Sequence, residues 1–577
     1  MVLQLGCTEE PLAFDPNNPA RGPSELLPSK DKASTKAFAG GRDETPEVFA
    51  TADGNPLTVC DADCQAHCDA QNLSNPANVG LCPSLWGLGL SGTPIDEAEA
   101  CRRLYADTLG RLPSYDELTQ ECIGKNWNAV VAKVLASKDF VRVNRRVWAD
   151  VLKYDTEAIS VERIFDMDRI VTALYEGRIA YDHFAAITSA HPVLTRRYDT
   201  ERDRAEAVIW TFLGRPPFGN ESADLGRLYH LWQNDYYDHP QLGVRLPDAY
   251  VRYSCLTQPG ECTSTEFGFE QVVLQPDTRA IEVNNRLMMW SGFLSPDEWE
   301  TLQAPGRLLA QQWAFWEHAV NVVLNQYLNY PLATQVPEVG ERLTRYLLDH
   351  DGDIRSVHYA ILTSHAYLQS TSGAAPDAPA YAHGPLKQTE AETWVDSLNG
   401  LTGAEMQQCD IRINRPRDFL RDGSPYGVAL VQQSDWTLNA KLDGVRQSYA
   451  DLVRALGGCP DNSQGGRFKI TSVLTTANQL NYAGQLCDPS NEGSRIRVKA
   501  EHLLPSGVDR SSATSEELAA AIFEHQTRLF LGRKATAEEL TRARVHGANC
   551  AATRCSAEEF ARPVCFALLS SAEMLFY

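Results

Sequence analysis

Residues 104–118 read Leu104-Tyr-Ala-Asp-Thr-Leu-Gly-Arg-Leu-Pro-Ser-Tyr-Asp-Glu-Leu118, and residues 526–540 read Gln526-Thr-Arg-Leu-Phe-Leu-Gly-Arg-Lys-Ala-Thr-Ala-Glu-Glu-Leu540. Aligned on Leu-Gly-Arg, both carry Ser or Thr four residues after the Gly, Glu three residues later, and then Leu. A helix that stops at Gly and restarts at a hydroxyl cap accounts for each shared position. Gly110 and Gly532 take the left-handed conformation that ends a helix. Ser114 and Thr536 cap the next helix, and Glu117 and Glu539 close a capping box. Arg111 and Arg533 are expected to brace their own turns. A weaker copy stands at Phe212-Leu-Gly-Arg-Pro-Pro217.

Working outward, further capping boxes recur: Ser295-Pro-Asp-Glu298, Thr514 with Glu517, and Ser556 with Glu559. Pro296 falls in the first helical turn, where a missing N–H costs little. A second element follows the first: Val134-Leu-Ala-Ser-Lys-Asp-Phe140, Ile361-Leu-Thr-Ser-His-Ala-Tyr367 and Leu568-Leu-Ser-Ser-Ala-Glu-Met574. Its spacing suits a helix that ends at Ser while the aromatic or Met returns to the core. Strand-like stretches are few, around 270–275 and 467–474. The expected fold class is all-α: multi-helical, with degenerate repeated helix–turn–helix units and few short strands.

Composition bounds the function. The chain has 577 residues, 43% hydrophobic and 22% charged, with a formal net charge of −22. That balance belongs to a globular protein and opposes nucleic-acid binding, which draws most of its affinity from phosphate neutralisation. No run of eighteen apolar residues occurs, so no spanning segment is expected.

Fifteen cysteines are many for a reducing compartment. Cys7 stands apart, because Leu3-Gln-Leu-Gly-Cys7 resembles the end of a bacterial lipoprotein signal, with Gln4 where Leu is usual. The others are Cys60, Cys64, Cys68, Cys82, Cys101, Cys122, Cys255, Cys262, Cys409, Cys459, Cys487, Cys550, Cys555 and Cys565, enough for seven disulfides. Lipidation at Cys7 and a location in the bacterial cell envelope, on its periplasmic or surface face, are therefore expected. Residues 1–56 read as signal remnant and tether, rich in Pro, Asn, Asp, Ser and Gly. Residues 57–93 read as a Cys-rich segment pinned by disulfides, since zinc-type Cys-x-x-Cys spacing is missing. A first helical domain is expected at 94–205, a middle helical region with an unrepeated polar and aromatic stretch at 206–375, and a C-terminal helical domain at 376–577.

These motifs resemble a tandem pair of uncharacterised domains associated with planctomycete cytochromes. The resemblance runs through Leu104–Leu118, Trp127–Ser137, Arg145–Asp155 and Tyr181-Asp-His-Phe184. It continues with Asp351–His358, Ile361–Tyr367, Thr389–Leu398, Leu401-Thr-Gly403, Thr527–Leu540 and Cys565–Phe576. It implies a secreted protein partner and no defined reaction. Many members carry a Cys-x-x-Cys-His-like stretch after the middle Leu-Gly; here Arg215-Pro-Pro-Phe-Gly-Asn-Glu-Ser222 follows. Covalent c-type haem is not expected, and no other cofactor is predicted.

Candidate chemistry concentrates in Tyr229-His-Leu-Trp-Gln-Asn-Asp-Tyr-Tyr-Asp-His239, with two His, two Asp and three Tyr in eleven residues. His230, Asp235, Asp238 and His239 are candidate metal ligands in a metal- or sugar-binding cleft; the alternative is a solvated aromatic helix end. Asp349-His-Asp-Gly-Asp353 looks like a calcium loop but lacks the bidentate Glu, and reads better as a turn before a helix near Ile354. Trp313-Ala-Phe-Trp-Glu-His318 reads as core. Trp148, Asp150, Tyr154 and Asp155 form a buried polar network or part of a site. No serine-hydrolase elbow, P-loop, zincin or dinucleotide motif occurs, so catalytic residues are unassigned. The expectation is an envelope lipoprotein acting as a helical binding or assembly scaffold, attached to membrane only through Cys7. The rival is an envelope hydrolase or metal-dependent enzyme acting on glycans near residues 229–239.

Overall fold

The computed structural model describes residues 60–71, 73–88, 94–152, 170–191, 200–229, 296–371, 378–398, 473–488 and 498–577. Short pieces at 238–239, 244–245, 279–283, 286–290 and 455–458 and isolated positions 167, 194, 198, 401 and 453 are also described. The fold is all-α. Its helices begin with α1 (Ala62–Ala70), α2 (Pro76–Gly87), α3 (Glu97–Leu109), α4 (Tyr115–Glu117), α5 (Trp127–Leu135) and α6 (Lys138–Leu152). They continue with α7 (Tyr181–Ala190), α8 (Glu201–Leu213), α9 (Glu221–Gly226), α10 (Pro296–Leu309), α11 (Trp313–Leu328), α12 (Pro337–Asp349) and α13 (Ile354–Leu362). The last are α14 (Ala391–Asp396), α15 (Val473–Leu486), α16 (Glu516–Leu531), α17 (Ala537–Ala552), α18 (Ala557–Leu569) and α19 (Ala572–Leu575).

Strand pairing among the described residues comprises two antiparallel ladders, Asp238–His239 with Val244–Arg245 and Arg279–Val283 with Arg286–Trp290, beside isolated bridges such as Gln388 with Phe576. The expected strand at 270–275 lies outside the described residues, as do 467–472, while Val473 and Leu474 open α15.

Two compact units divide the chain by contact rather than by consecutive segments. The first holds the described residues of stretches 1–95 and 131–385; the second holds those of 96–130, 386–409 and 434–577.

In the first unit the core is aromatic. Trp148, Tyr181, Phe184, Phe212, Phe315 and Trp316 are all buried, with ring centroids 4.6 Å apart for Trp148–Phe184 and 5.0 Å for Phe315–Trp316. The segment 313–318 is therefore core at Phe315 and Trp316, as the amphipathic spacing predicts. Small residues let helices close on one another. Pro305 interrupts the hydrogen-bond ladder of α10, and the next N–H, on Gly306, donates to Ser189 Oγ of α7 at 3.0 Å. A Cβ at Gly306 would overlap Ala185 O, so this crossing requires glycine. Gly80 of α2 meets the Val339 backbone of α12 in the same way, with 3.0 Å to a built Cβ.

In the second unit, Trp394, Val395, Ile522, Phe530, Leu531, Phe560 and Met574 are among the buried apolar side chains of one cluster. Two cysteine pairs brace it: Cys101–Cys122, and Cys487–Cys565 between the end of α15 and α18. A third pair, Cys550–Cys555, closes the end of α17. The capping boxes at Ser114/Glu117, Thr536/Glu539 and Ser556/Glu559 all form. The helix expected to start at Thr514 starts one residue later: Ser515 accepts the Leu518 N–H, whereas Thr514 is buried. With two adjacent hydroxyls, tertiary packing decides which one caps. The second repeated element also differs in detail. Its helices stop before the Ser, and Ser137 caps the next helix by accepting from Phe140 N at 3.1 Å. Phe140, Tyr367 and Met574 are fully buried, as expected.

Candidate functional site

The most organised polar constellation is the Leu-Gly-Arg turn, and it occurs three times. Gly110, Gly214 and Gly532 end their helices at φ of 65°, 63° and 66°. The following Arg then forks onto a Glu six residues on. Arg111 Nη1 and Nη2 donate to Glu117 at 2.8 and 2.5 Å. Arg215 does so to Glu221 at 2.7 and 2.8 Å, and Arg533 to Glu539 at 2.9 and 2.8 Å. In every copy Nη1 also donates to the next carbonyl, that of Leu112, Pro216 or Lys534. The Glu meanwhile accepts the N–H three residues before it, from Ser114, Phe218 or Thr536. One carboxylate thus joins the turn's cation to a backbone N–H ahead of the next helix; in the first and third copies that donor belongs to the helix N-cap, whereas α9 starts later, behind Asn220.

The expectation that Arg111 and Arg533 brace their own turns agrees with this geometry. Glu221 was missed, because Phe218 occupies the hydroxyl position and the capping-box pattern does not register. The Arg-to-Glu spacing would have found it.

The electrostatics follow. Burial pushes the Glu117 carboxyl up, but Arg111 and Ser114 outweigh it and hold the group at about 2. Glu539 also sits at about 2, chiefly through Arg533. At Glu221 burial again opposes, and the Arg215 and Phe218 bonds bring the net shift below the ordinary carboxylate value.

In the second unit the first and third turns meet. A Cβ at Gly532 would lie 2.8 Å from Pro113 O. The Arg528 guanidinium sits 4.9 Å above the Tyr115 ring, and Arg102 donates to Leu531 O and, at 2.8 Å, to Glu573 O. Gly110, Pro113 and Gly532 are buried in consequence. The middle turn, in the first unit, differs. Gly214 is exposed, Trp210 is 53% and Phe218 61% exposed, and the Arg215 guanidinium lies 4.3 Å over the Phe218 ring.

His230 and Asp235 lie outside the described residues; Asp238 and His239 are described only as a backbone strand paired with Val244–Arg245. Among the described residues no group of three or more His, Cys, Asp or Glu could hold a metal ion. The Asp349–Asp353 segment is a turn: Asp351 and Gly352 have φ of 51° and 73°. Asp353 caps α13 through the Arg355 N–H and is held by the Arg355 guanidinium at 2.7 Å. A cation there would compete with a buried arginine.

Trp148 Nε1 donates to Tyr175 OH at 3.1 Å, a partner not among the residues grouped with it above; Asp150 is half-buried, and Tyr154 and Asp155 lie outside the described residues. In the Cys-rich segment Cys60 pairs with Cys64 and Cys68 with Cys82, which removes four thiolates as metal ligands. The His67 ring lies against Trp86, ring centroids 4.4 Å apart. Cys7, Cys255, Cys262, Cys409 and Cys459 lie outside the described residues.

Three buried polar groups lie within the motif stretches quoted above but were not singled out as site residues. Asp182 is fully buried at the start of α7; its Oδ1 accepts the His183 N–H at 2.8 Å. Its Oδ2 has no hydrogen-bond partner among the described residues. Burial pushes its carboxyl up to about 7, opposed by backbone N–H groups and Arg307. His358, buried among Phe140, Tyr175 and Tyr327, shares a 2.6 Å hydrogen bond with Tyr327 OH and is pushed down to about 3 by burial. Asp107 in the second unit receives Lys387 Nζ and, at 2.9 Å, Tyr577 OH. Each is a polar group held or enclosed by packing.

Compared with known proteins, the chain matches no family model, no curated protein and no solved structure.

Proposed function

We propose that this chain is a helical binding or assembly scaffold of the bacterial cell envelope, working in an oxidising compartment and anchored through a lipidated Cys7. The observation that carries the reading is cysteine pairing: all ten described cysteines are joined, in five pairs. Such density of pairing suits an extracytoplasmic protein. The polar chemistry on the described residues also supports it, since the Leu-Gly-Arg clamps fix helix angles and leave no reactive group poised. Among these residues no helix is long and apolar enough to cross a membrane, so attachment would come through the lipid. The resemblance to the cytochrome-associated domain pair belongs to this proposal, and with it a secreted protein partner.

The test is mass spectrometry of protein from its native membrane fraction. Diacylated Cys7 and oxidised cysteines are expected, together with a stoichiometric partner retained after crosslinking in intact cells. Free thiols throughout would sink the envelope reading. Stoichiometric bound metal, with a measured glycan-cleaving activity lost in His230→Ala, would replace the scaffold with an enzyme.

A further inference from the structure

α17 ends in a closed motif built on an unexpected residue. The Arg554 N–H donates to Ala551 O and the Cys555 N–H to Cys550 O, each at 3.0 Å. Such a pair of bonds marks a helix exit through one left-handed residue, a place ordinarily given to glycine. Here that residue is Arg554, at φ of 60°. Among the described residues with positive φ it is the one that is neither Gly, Asn nor Asp, and its Cβ makes the conformation unfavourable. The positions that touch through apolar side chains in this motif are Cys550 and Cys555, and a disulfide joins them. A covalent bond stands where a packing contact would, and it holds Arg554 left-handed.

The same bond is open to exchange. Exchange needs one sulfur that an incoming thiolate can reach and a second that can leave as a thiolate in polar surroundings. Cys64, Cys82, Cys101, Cys122, Cys487 and Cys565 are buried, so each of the other four described pairs has at least one buried member. Cys550 and Cys555 are both half-buried, and the four residues between them are exposed.

We propose that Cys550–Cys555 is a thiol–disulfide exchange site that accepts two electrons from a dithiol, and that its opening loosens the junction between α17 and α18. A thiolate of the dithiol attacks one sulfur and forms a mixed disulfide. The Sγ–Sγ bond breaks, and the other cysteine leaves as a thiolate that takes a proton from water. The second thiolate of the dithiol then attacks its own partner sulfur in the mixed disulfide and releases the first cysteine. The dithiol ends as a disulfide and the protein bond as two thiols. Nothing covalent then holds Arg554 left-handed, and Cys555 moves with it. Cys555 O accepts the Thr514 N–H at 3.1 Å, and Ser512 O accepts that of Ala557 at 2.7 Å. Thr514 directly precedes Ser515, the N-cap of α16. Opening the bond therefore reaches the start of the helix that carries the third Leu-Gly-Arg turn.

Stepwise titration of the full oxidised chain with dithiothreitol tests this, with alkylation of the thiols formed and peptide mass mapping at each step. Cys550 and Cys555 are expected to be alkylated first, at about a tenth of the dithiothreitol that opens any of the other four described pairs. Amide hydrogen exchange at Thr514 and Cys555 is expected to quicken at the same step. In Arg554→Gly, which suits the left-handed position, the bond is expected to need roughly fivefold more dithiothreitol. Another described pair opening first, or all of them opening together, overturns the exchange site. A first opening that leaves exchange at Thr514 unchanged overturns the coupling to α16. An Arg554→Gly chain reduced as readily as the parent overturns the role of the left-handed arginine. The order of opening is read on the purified chain, wherever the protein resides, so its failure leaves the scaffold reading standing.

Discussion

Removing the carboxylate of each Arg–Glu clamp should cost different amounts, because the three copies share one geometry and differ in burial. In the middle clamp the Glu221 side chain is 4% exposed and Arg215 19%. The first pairs Arg111 at 29% with Glu117 at 27%, and the third pairs Arg533 at 27% with Glu539 at 29%. Glu221→Ala strands a largely buried guanidinium and leaves the Phe218 N–H without its acceptor, a loss of about 3 kcal/mol. Glu117→Ala leaves Arg111 able to turn to water, and Ser114 still caps α4, so about 1 kcal/mol is expected. Glu539→Ala should cost no more, since Arg533 keeps Glu573 at 2.8 Å. Differential scanning calorimetry with the disulfides intact can read both units. Hydrogen exchange of α9, α4 and α17 then assigns each loss to its own turn. The expected order is Glu221 well above Glu117, with Glu539 lowest. Three equal losses, within about 0.5 kcal/mol, would refute the reasoning that burial sets the strength of the clamp.

Other outcomes follow from the same structure. Asp182, whose folded value is raised to about 7 from 3.8, contributes stability that is full below 3.8 and fades as pH rises through 7. The first unit should therefore lose stability, by up to about 4 kcal/mol, between pH 4 and pH 8, and Asp182→Asn should flatten that slope in urea titrations. Glu117, Glu539 and Glu558, each held at about 2, act in the opposite sense. Their contribution is present above 4.5 and is lost as pH falls towards 2, so acid unfolding of the second unit should sharpen there; salt should blunt it, since these carboxylates are partly exposed. Cys487 and Cys565, 78 residues apart in sequence, close a long loop. Replacing both with Ala should destabilise the second unit by about 4 kcal/mol, measured as a fall in the urea midpoint with a larger m-value, because the denatured chain without the cross-link exposes more surface.

The helical class and the turn chemistry were legible because they are local. A left-handed Gly, a hydroxyl cap and a Glu within eight residues impose their geometry wherever they stand, and Ser114, Thr536 and Ser556 behave accordingly. Phe218 hid the third clamp by breaking the hydroxyl pattern while keeping the Arg-to-Glu spacing. The choice of Ser515 over Thr514 was not legible, because both hydroxyls can cap and only packing separates them. Nor was the meeting of the first and third turns, which lie some four hundred residues apart and share no pattern that distinguishes contact from mere similarity. Asp182 and His358 escaped for a related reason: a polar residue inside an apolar helix face carries no periodic mark. The candidate ligands His230, Asp235, Asp238 and His239 were chosen by density along the chain, which says little about convergence in space.

The second unit draws α3 and α4 from early in the chain and α16 to α19 from its last sixty or so residues. During synthesis, α3 is thus made long before the helix that covers its Leu-Gly-Arg turn. At about 10 residues per second the wait is about 40 seconds. Over that interval Leu112, Pro113 and the apolar side of α3 lie without their eventual cover, and the first unit is completed meanwhile. A chain built this way needs its early helix kept from wrong company until the late one emerges, so its yield should depend on chaperone supply more steeply than its final stability suggests.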